Sequence, residues 1–360
     1  MKISKYPYVI QKEILENMNY VDLFLLSFVS KNMKKLIKSS QKKRFESIRP
    51  VDYHCHDISD PPFVHIPHKG DYEGIIDFEN TNRNKNPIFQ LNVSGKIIDF
   101  QWDDYNKVAM ASFDIRDKES VIESVHNYFL DFFGPTMKYH WRVDDVEEDF
   151  NLFIPKLQNT SLCTDIRLKE DFKDMEKLEA LFSSYPVFKW VGLTAALTTE
   201  LFHPESKYYQ AESVFVNQFQ HTFPNVLRHF KGRQAIVNCG HWENLEDLIE
   251  FLNRWKSGEA FQKLEYLYFE LKNGEVPESQ ILNEIGAKYI DESKTPPAHI
   301  LPKVYDWVYC SDKPNTKPIN SHTYVVRATD NRVASVMIQE KTISFGVWDK
   351  TEEAFLKLIN

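Results

Sequence analysis

Five residues near the N-terminal third carry the side chains most able to do chemistry. Asp52, His54, Cys55, His56 and Asp57 run almost without interruption, and His65 and His68 follow. His54-x-His56 with His65 and His68 could supply imidazole ligands to zinc. Their spacing matches no standard finger, and the cluster has only one Cys. The simpler expectation is a polar connecting loop, with no metal. Asp144-Asp145 and Glu147-Glu148-Asp149 could serve acid–base chemistry or hold a cation. Either role needs positioned, desolvated carboxylates, and a run of adjacent charges is more often a solvated loop. Cys239-Gly240-His241 sets a thiol beside an imidazole. Catalytic Cys–His pairs meet in space and not along the chain, so a buried Cys at a strand end is the expectation. GxSxG, HExxH, Walker and GxGxxG patterns are all missing, and with only 11 Gly the chain is poor in phosphate-cradling loops. These residues predict no catalytic group and no cofactor.

The elements around them are ordinary for a globular chain of two or three domains. Of the 360 residues, 42% are hydrophobic and 27% charged, which argues against disorder. Cys55, Cys163, Cys239 and Cys310 are far apart and form no CxxC pair. With no secretory run at the start and no apolar stretch long enough to span a bilayer, a cytoplasmic or nuclear protein without membrane contact is expected. Charge is unevenly spread. Residues 1–49 hold 11 Lys or Arg against 4 Asp or Glu, a net +7, while the whole chain is −8. That asymmetry marks the N-terminal piece as a separate module with its own partner. The basic run from Lys31 to Arg44 could be read as a nucleic-acid patch. The acidic remainder argues against it, and a wet helix face is the simpler account.

The N-terminal piece reads as three helices. Pro7 suits a first helical position. Ile10, Ile14 and Met18 recur at four-residue spacing, with Leu15 beside them. Val21 to Val29 is then apolar on nearly all sides, so a partner is expected to cover it. Ser30 is expected to cap the third helix. Residues from Pro50 to Gly70, rich in Pro, His and Asp, read as a connector. Ile88 to Val93, Lys96 to Trp102 and Lys107 to Phe113 read as antiparallel strands, and Ser120 to Phe133 as a helix stopped by Gly134-Pro135.

Beyond these, strands at Leu162 to Leu168, Phe188 to Leu193, Ala235 to Asn238 and Tyr266 to Glu270 alternate with helices at Asp174 to Ser183, Ser206 to Phe219 and Leu245 to Trp255. This alternation argues for parallel α/β units. Unequal spacing excludes a regular repeat. Thr323 to Arg327, Val333 to Gln339 and Thr342 to Val347 read as a C-terminal antiparallel meander. The fold class expected is mixed α+β and α/β: a small three-helix module, then an irregular repeat-like domain of the leucine-rich-repeat horseshoe type. Tyr208, Tyr209, Phe215 and Phe219 could form a binding hot spot, but a core stripe is the simpler reading.

Tyr6-Pro7, Ile10, Ile14-Leu15, Met18, Leu23, Leu26, Ser27, Val29-Ser30-Lys31 and Met33 follow the F-box pattern without a gap, and the first forty residues resemble that family. Two positions depart from it, with Tyr6 where Leu is usual and Met33 where Trp is frequent. The remainder resembles the type 2 F-box-associated domain of the expanded nematode F-box families. That resemblance is carried by Trp242 to Leu248, Phe251 to Trp255, Thr329 to Val336 and Phe345 to Trp348, with Gln41 to Arg44 in agreement. It implies an F-box at 1–47, a connecting segment at 48–72 and a recognition domain at 73–360. The F-box would bind a Skp-family adaptor, and through it a cullin, and the larger domain would present a protein substrate for ubiquitin-dependent degradation. Pro7, Ile10, Ile14, Leu15, Leu23, Leu26 and Val29 are the expected adaptor contacts, with about half of them expected to be true contacts and the rest to lie in the module's own core. The alternative is an interaction scaffold that acts without ubiquitin transfer.

Overall fold

A computed structural model of the chain describes residues 3–56, 61–68, 71–80, 89–146, 154–169, 172, 174–185, 188–195, 202–218, 226–240, 245–301 and 316–359. The chain folds as two compact units. The first is built on Met1–Asp144 with Asn151–Ser161, and the second mainly on Leu162–Trp307 and Asp312–Asn360.

The first unit opens with helices α1 (Tyr8–Glu16), α2 (Tyr20–Leu26), α3 (Lys31–Ser40) and α4 (Lys42–Glu46). There are thus four helices where three were expected. The fourth arises because Gln41 ends α3 and the chain immediately turns into Lys42–Glu46, which buries Phe45. Ser30 caps α3 as expected, its Oγ accepting from the Met33 N–H at 3.1 Å.

The sheet of this unit consists of β1 (Val51–Cys55), β2 (Phe63–His68), β3 (Asp71–Asn80), β4 (Phe89–Val93), β5 (Lys96–Asp103), β6 (Val108–Phe113) and β7 (Tyr139–Val146), in the order β7-β1-β2-β3-β6-β5-β4. The β4-β5-β6 strands pair antiparallel as expected. The segment read as a connector, 48–72, instead holds β1 and β2, and all five residues of β1 are buried. The physical reason is strict alternation. Val51, Tyr53 and Cys55 face a core, while Asp52 and His54 line the other face. Helix α5 (Lys118–Phe133) packs on the first of these faces. The Tyr53 hydroxyl hydrogen bonds with His126 Nδ1 at 3.0 Å, and the Tyr53 ring stacks on Trp141. Gly134, at φ +118°, ends α5, a conformation that side-chain-bearing residues rarely adopt.

In the second unit, β8 (Thr160–Leu168), β9 (Phe188–Ala195), β10 (Ser213–Gln218), β11 (Gln234–Cys239) and β12 (Tyr266–Leu271) lie side by side in chain order, all parallel. Helices α6 (Met175–Ser184), α7 (Val226–His229) and α8 (Leu245–Ser257) alternate with them, and α9 (Glu278–Glu284) follows. The helix expected over Ser206 to Phe219 is instead a short 3-10 turn at Lys207–Gln210 and then strand β10. Val214 and Val216 point to one face and Phe215 and Asn217 to the other, a two-residue period that decides for a strand. Tyr208 and Tyr209 are buried, and Phe219 lies outside the described residues.

The chain then forms four short strands, β13 (Lys288–Tyr289), β14 (Ala298–His299), β15 (Ile319–Asn320) and β16 (Thr323–Val326). It continues into β17 (Arg332–Gln339) and β18 (Thr342–Thr351), and ends in α10 (Glu352–Leu356). The antiparallel meander β16-β17-β18 appears where expected and joins the parallel array through β18 and β12.

The two faces of this array differ. On one, Phe345 of β18 packs against Trp255 and Phe251 of α8, and Leu267 and Ala235 share that face by register. On the other, Leu301 and Ile319 form a small core with Tyr266, against which Ile236, Tyr268 and Met337 are partly buried. Toward the C-terminal ends of the parallel strands, the same face carries Arg167, Thr194, Asn217, Asn238 and Glu270 in one register row. Among the described residues no helix is long and apolar enough to cross a membrane.

Candidate functional site

Helix α2 is apolar on nearly all sides, with Asp22 its one exposed charge, and a partner was expected to cover it. Its cover is instead α5 of its own unit. The Phe24 ring meets Tyr128 and Phe129 edge-on or tilted, Phe28 stacks on Tyr128 with centroids 4.3 Å apart, and Tyr20 and Phe45 meet Phe133. The Ser27 and Tyr128 hydroxyls share a hydrogen bond at 2.6 Å, and burial raises the Tyr128 phenol to about 12. Part of the basic face is also engaged within the unit. Lys34 and Lys38 pair with Asp131, and Lys34 lies 3.5 Å above the Tyr128 ring. Arg44 lies over the Tyr20 ring and 3.9 Å from Glu73, and Glu73 also accepts from the Tyr20 N–H. Lys31, Lys35, Lys42 and Lys43 remain exposed.

The seven expected contact positions separate into three groups. Leu15 and Leu23 are 0% exposed and form the core of the helical module. Ile14 and Leu26 are half-buried. Pro7, Ile10 (45% exposed) and Val29 (71%) are open. Val9 is more open still at 73%, and Tyr6 and Tyr8 are also exposed. Val9 was not singled out from the sequence, because its place one residue before Ile10 puts it off the four-residue stripe. Exposed apolar side chains are thus concentrated at the start of α1 and in the turn between α2 and α3. Such groups on a folded module are characteristic of a surface that another protein covers.

The histidine- and carboxylate-rich residues form a second constellation, on the face of the first unit's sheet opposite α5. Strand register sets Asp52 beside both His140 and His65, and His54 beside Arg142. His54 Nε2 hydrogen bonds with Asp144 Oδ2 at 2.7 Å, and Arg142 Nε donates to Asp144 Oδ1 at 3.0 Å. Asp52 lies 3.4 Å from His140 Nδ1 and 3.8 Å from His65 Nε2. All six residues are buried. Asp144, expected in a solvated loop, is therefore a core residue of β7. Burial alone would raise its carboxyl, but the hydrogen bond from His54 and the charge of Arg142 outweigh this and hold it below the ordinary carboxylate range.

Among the described residues no three such donors converge as a metal site needs, although the rings of His54 and His56 lie 4.3 Å apart. The side chain of His68 lies outside what is described, as do Asp57, residues 147–149 and His241. Cys239 is buried at the end of β11, and desolvation raises its thiol to about 12, far from a reactive thiolate.

This burial has a pH consequence. Desolvation lowers His65 and His126 to about 4, from the ordinary 6.5. Both imidazoles stay neutral in the folded unit, while the unfolded chain takes up protons below 6.5. Their contribution to stability is therefore complete above pH 6.5 and falls as pH drops toward about 4, by about 1.4 kcal/mol per pH unit for each. Hydrogen exchange of peptides covering β1 and β7, corrected for intrinsic rates, should show protection falling between pH 7.5 and 5.0. Protection that is flat across that range would contradict this account.

An F-box domain model matches residues 7–45. The match covers α1, α2 and α3 and ends within α4, so the chain carries an F-box domain there. No curated protein and no solved structure matches the chain. The match does not extend beyond residue 45.

Proposed function

We propose that this chain is a substrate-recruiting, non-catalytic subunit of a cullin-RING ubiquitin ligase. Its F-box domain docks on a Skp-family adaptor, and the rest of the chain presents a protein for ubiquitin-dependent degradation in the cytoplasm or nucleus. The observation that carries this reading is the concentration of exposed apolar side chains within residues 6–29, overlapping the matched domain. Pro7, Ile10 and Val29 are the proposed adaptor contacts, with Val9 beside them and Ile14 and Leu26 at the margin. A few well-buried apolar anchors dominate most interfaces, so these positions suffice for tight docking. The exposed lysines of α3 and α4 favour approach to an acidic adaptor surface.

The test is co-purification of the full chain with a co-expressed Skp-family adaptor. Wild type should bind stoichiometrically. Ile10→Asp with Val29→Asp should weaken binding by about a hundredfold or more, since each places an unpaired charge in an apolar contact. Both sites are exposed, so the variant retains its fold. If wild type fails to bind where an established F-box protein succeeds, the ligase reading fails. The chain would then act as a scaffold through its larger part.

A further inference from the structure

The turn between β12 and α9 holds the one Asn-Gly pair of the sequence, Asn273-Gly274. The turn is fastened on both sides. The Lys272 N–H donates to the Cys239 carbonyl at 2.8 Å, and the Val276 N–H donates to the Glu340 carbonyl at 2.6 Å. Between these anchors Asn273, Gly274 and Glu275 are exposed, and their N–H groups make no hydrogen bond to a described residue. Gly274 has φ +92°, and apart from its chain neighbours a Cβ built on it would meet no heavy atom within 4 Å. Its amide nitrogen is therefore open to water and sterically unhindered. The Asn273 carboxamide makes one hydrogen bond to a described residue, its Nδ2 donating to the Gly240 carbonyl at 3.1 Å. That bond is a clasp from the end of β12 to the residue after β11.

We propose that Asn273 deamidates spontaneously in the folded chain and thereby releases its clasp on Gly240. The Gly274 nitrogen, after losing its proton to hydroxide, attacks the side-chain carbonyl carbon of Asn273. A C–N bond forms and closes a succinimide ring. The carboxamide C–N bond breaks, and ammonia leaves with a proton taken from water. Water then adds to one of the two imide carbonyls. Addition at the former side-chain carbonyl gives aspartate. Addition at the main-chain carbonyl gives isoaspartate, whose backbone runs through the side chain. Water is the only co-reactant, and nothing is oxidised or reduced. A glycine in the following position matters because a Cβ there would crowd the attack. The product turn gains a negative charge, since a carboxyl of ordinary acidity is ionised at neutral pH. It also loses the donor to Gly240 and leaves two acceptors facing each other. The reaction needs no partner, so it proceeds whether or not the chain recruits substrates.

The test incubates the full-length chain in mildly alkaline buffer and follows residues 266–276 by peptide mapping, which separates the asparagine, aspartate and isoaspartate forms. A synthetic peptide of the same sequence gives the rate for an open chain. Freeing the carboxamide from Gly240 costs one exposed hydrogen bond, so the folded chain should react no more than about tenfold slower than the peptide. The rate should rise with hydroxide. Asn320-Ser321, where the following residue is buried, should stay intact over the same period. Asn273→Gln must close a larger ring and should gain no negative charge in that time. Asn273→Asp removes the donor at once and should speed hydrogen exchange in peptides covering 234–240 and 266–276 by about threefold or more. A slowing of more than about tenfold in the folded chain would overturn the proposal, because the reaction would then await a larger opening of the turn. So would an acidic form that accumulates in Asn273→Gln, deamidation at Asn320 ahead of Asn273, or unchanged exchange in Asn273→Asp.

Discussion

Replacing Asp144 by Asn should destabilise the first unit by about 3–5 kcal/mol, the typical cost of removing one partner from a buried ion pair. The carboxylate accepts from both His54 and Arg142, and the Arg142 guanidinium is almost completely buried. The substitution keeps the shape but withdraws the negative charge that stabilises Arg142 in a low-dielectric setting. Because the Asp144 carboxyl lies below its ordinary value, its contribution is complete at neutral pH and is lost only in acid, as pH falls through that lowered value. Hydrogen exchange over β1 and β7 at pH 7.5 reads the effect directly. Adding Arg142→Met to Asp144→Asn should recover part of the loss, because it removes a buried cation that has lost one of its anionic contacts. A loss below about 1 kcal/mol for the single variant would mean that the network is not the electrostatic keystone of this face.

The second large effect is expected at Phe24. Its ring is fully buried among Phe28, Tyr128 and Phe129, and truncation to Ala leaves a cavity that the surrounding rings fill only in part. A cost of about 3–5 kcal/mol is expected. The location of the loss matters more than its size. If α2 and α5 share one core, hydrogen-exchange protection must fall together in peptides covering 20–26 and 118–133. Protection that collapses in α2 while α5 is untouched would show that the F-box helices form a core of their own, and the account given of the aromatic seam would be wrong.

Sequence and structure agree where a pattern is local. The meander at 323–347 is bounded by turn residues, and α5 has a helical stripe and a Gly stop, so each carries its whole signal within a few residues. They part where the deciding contact is distant. Asp144 reads as one of a run of surface acids, and only the parallel pairing of β7 with β1 brings it to His54. β1 does alternate, but Asp52 and His54 sit in a stretch rich in Pro, His and Asp, and that local composition outweighed five alternating residues. Leu23 and Leu26 lie on a helix that is apolar on nearly all sides, so periodicity does not separate the core position from the half-buried one. Strand β10 was hidden for a different reason. The aromatics of Ser206 to Phe219 suggested a helix and masked the two-residue period of Val214 and Val216.

The aromatic seam between α2 and α5 also sets a schedule during synthesis. Leu26 leaves the ribosome long before Lys118, and at about 5–20 residues per second the interval is on the order of ten seconds. Throughout it, the ring of Phe24 and its neighbours lack the helix that will cover them. A nascent chain in that condition depends on early collapse or on chaperones to keep its first helices from associating with other chains.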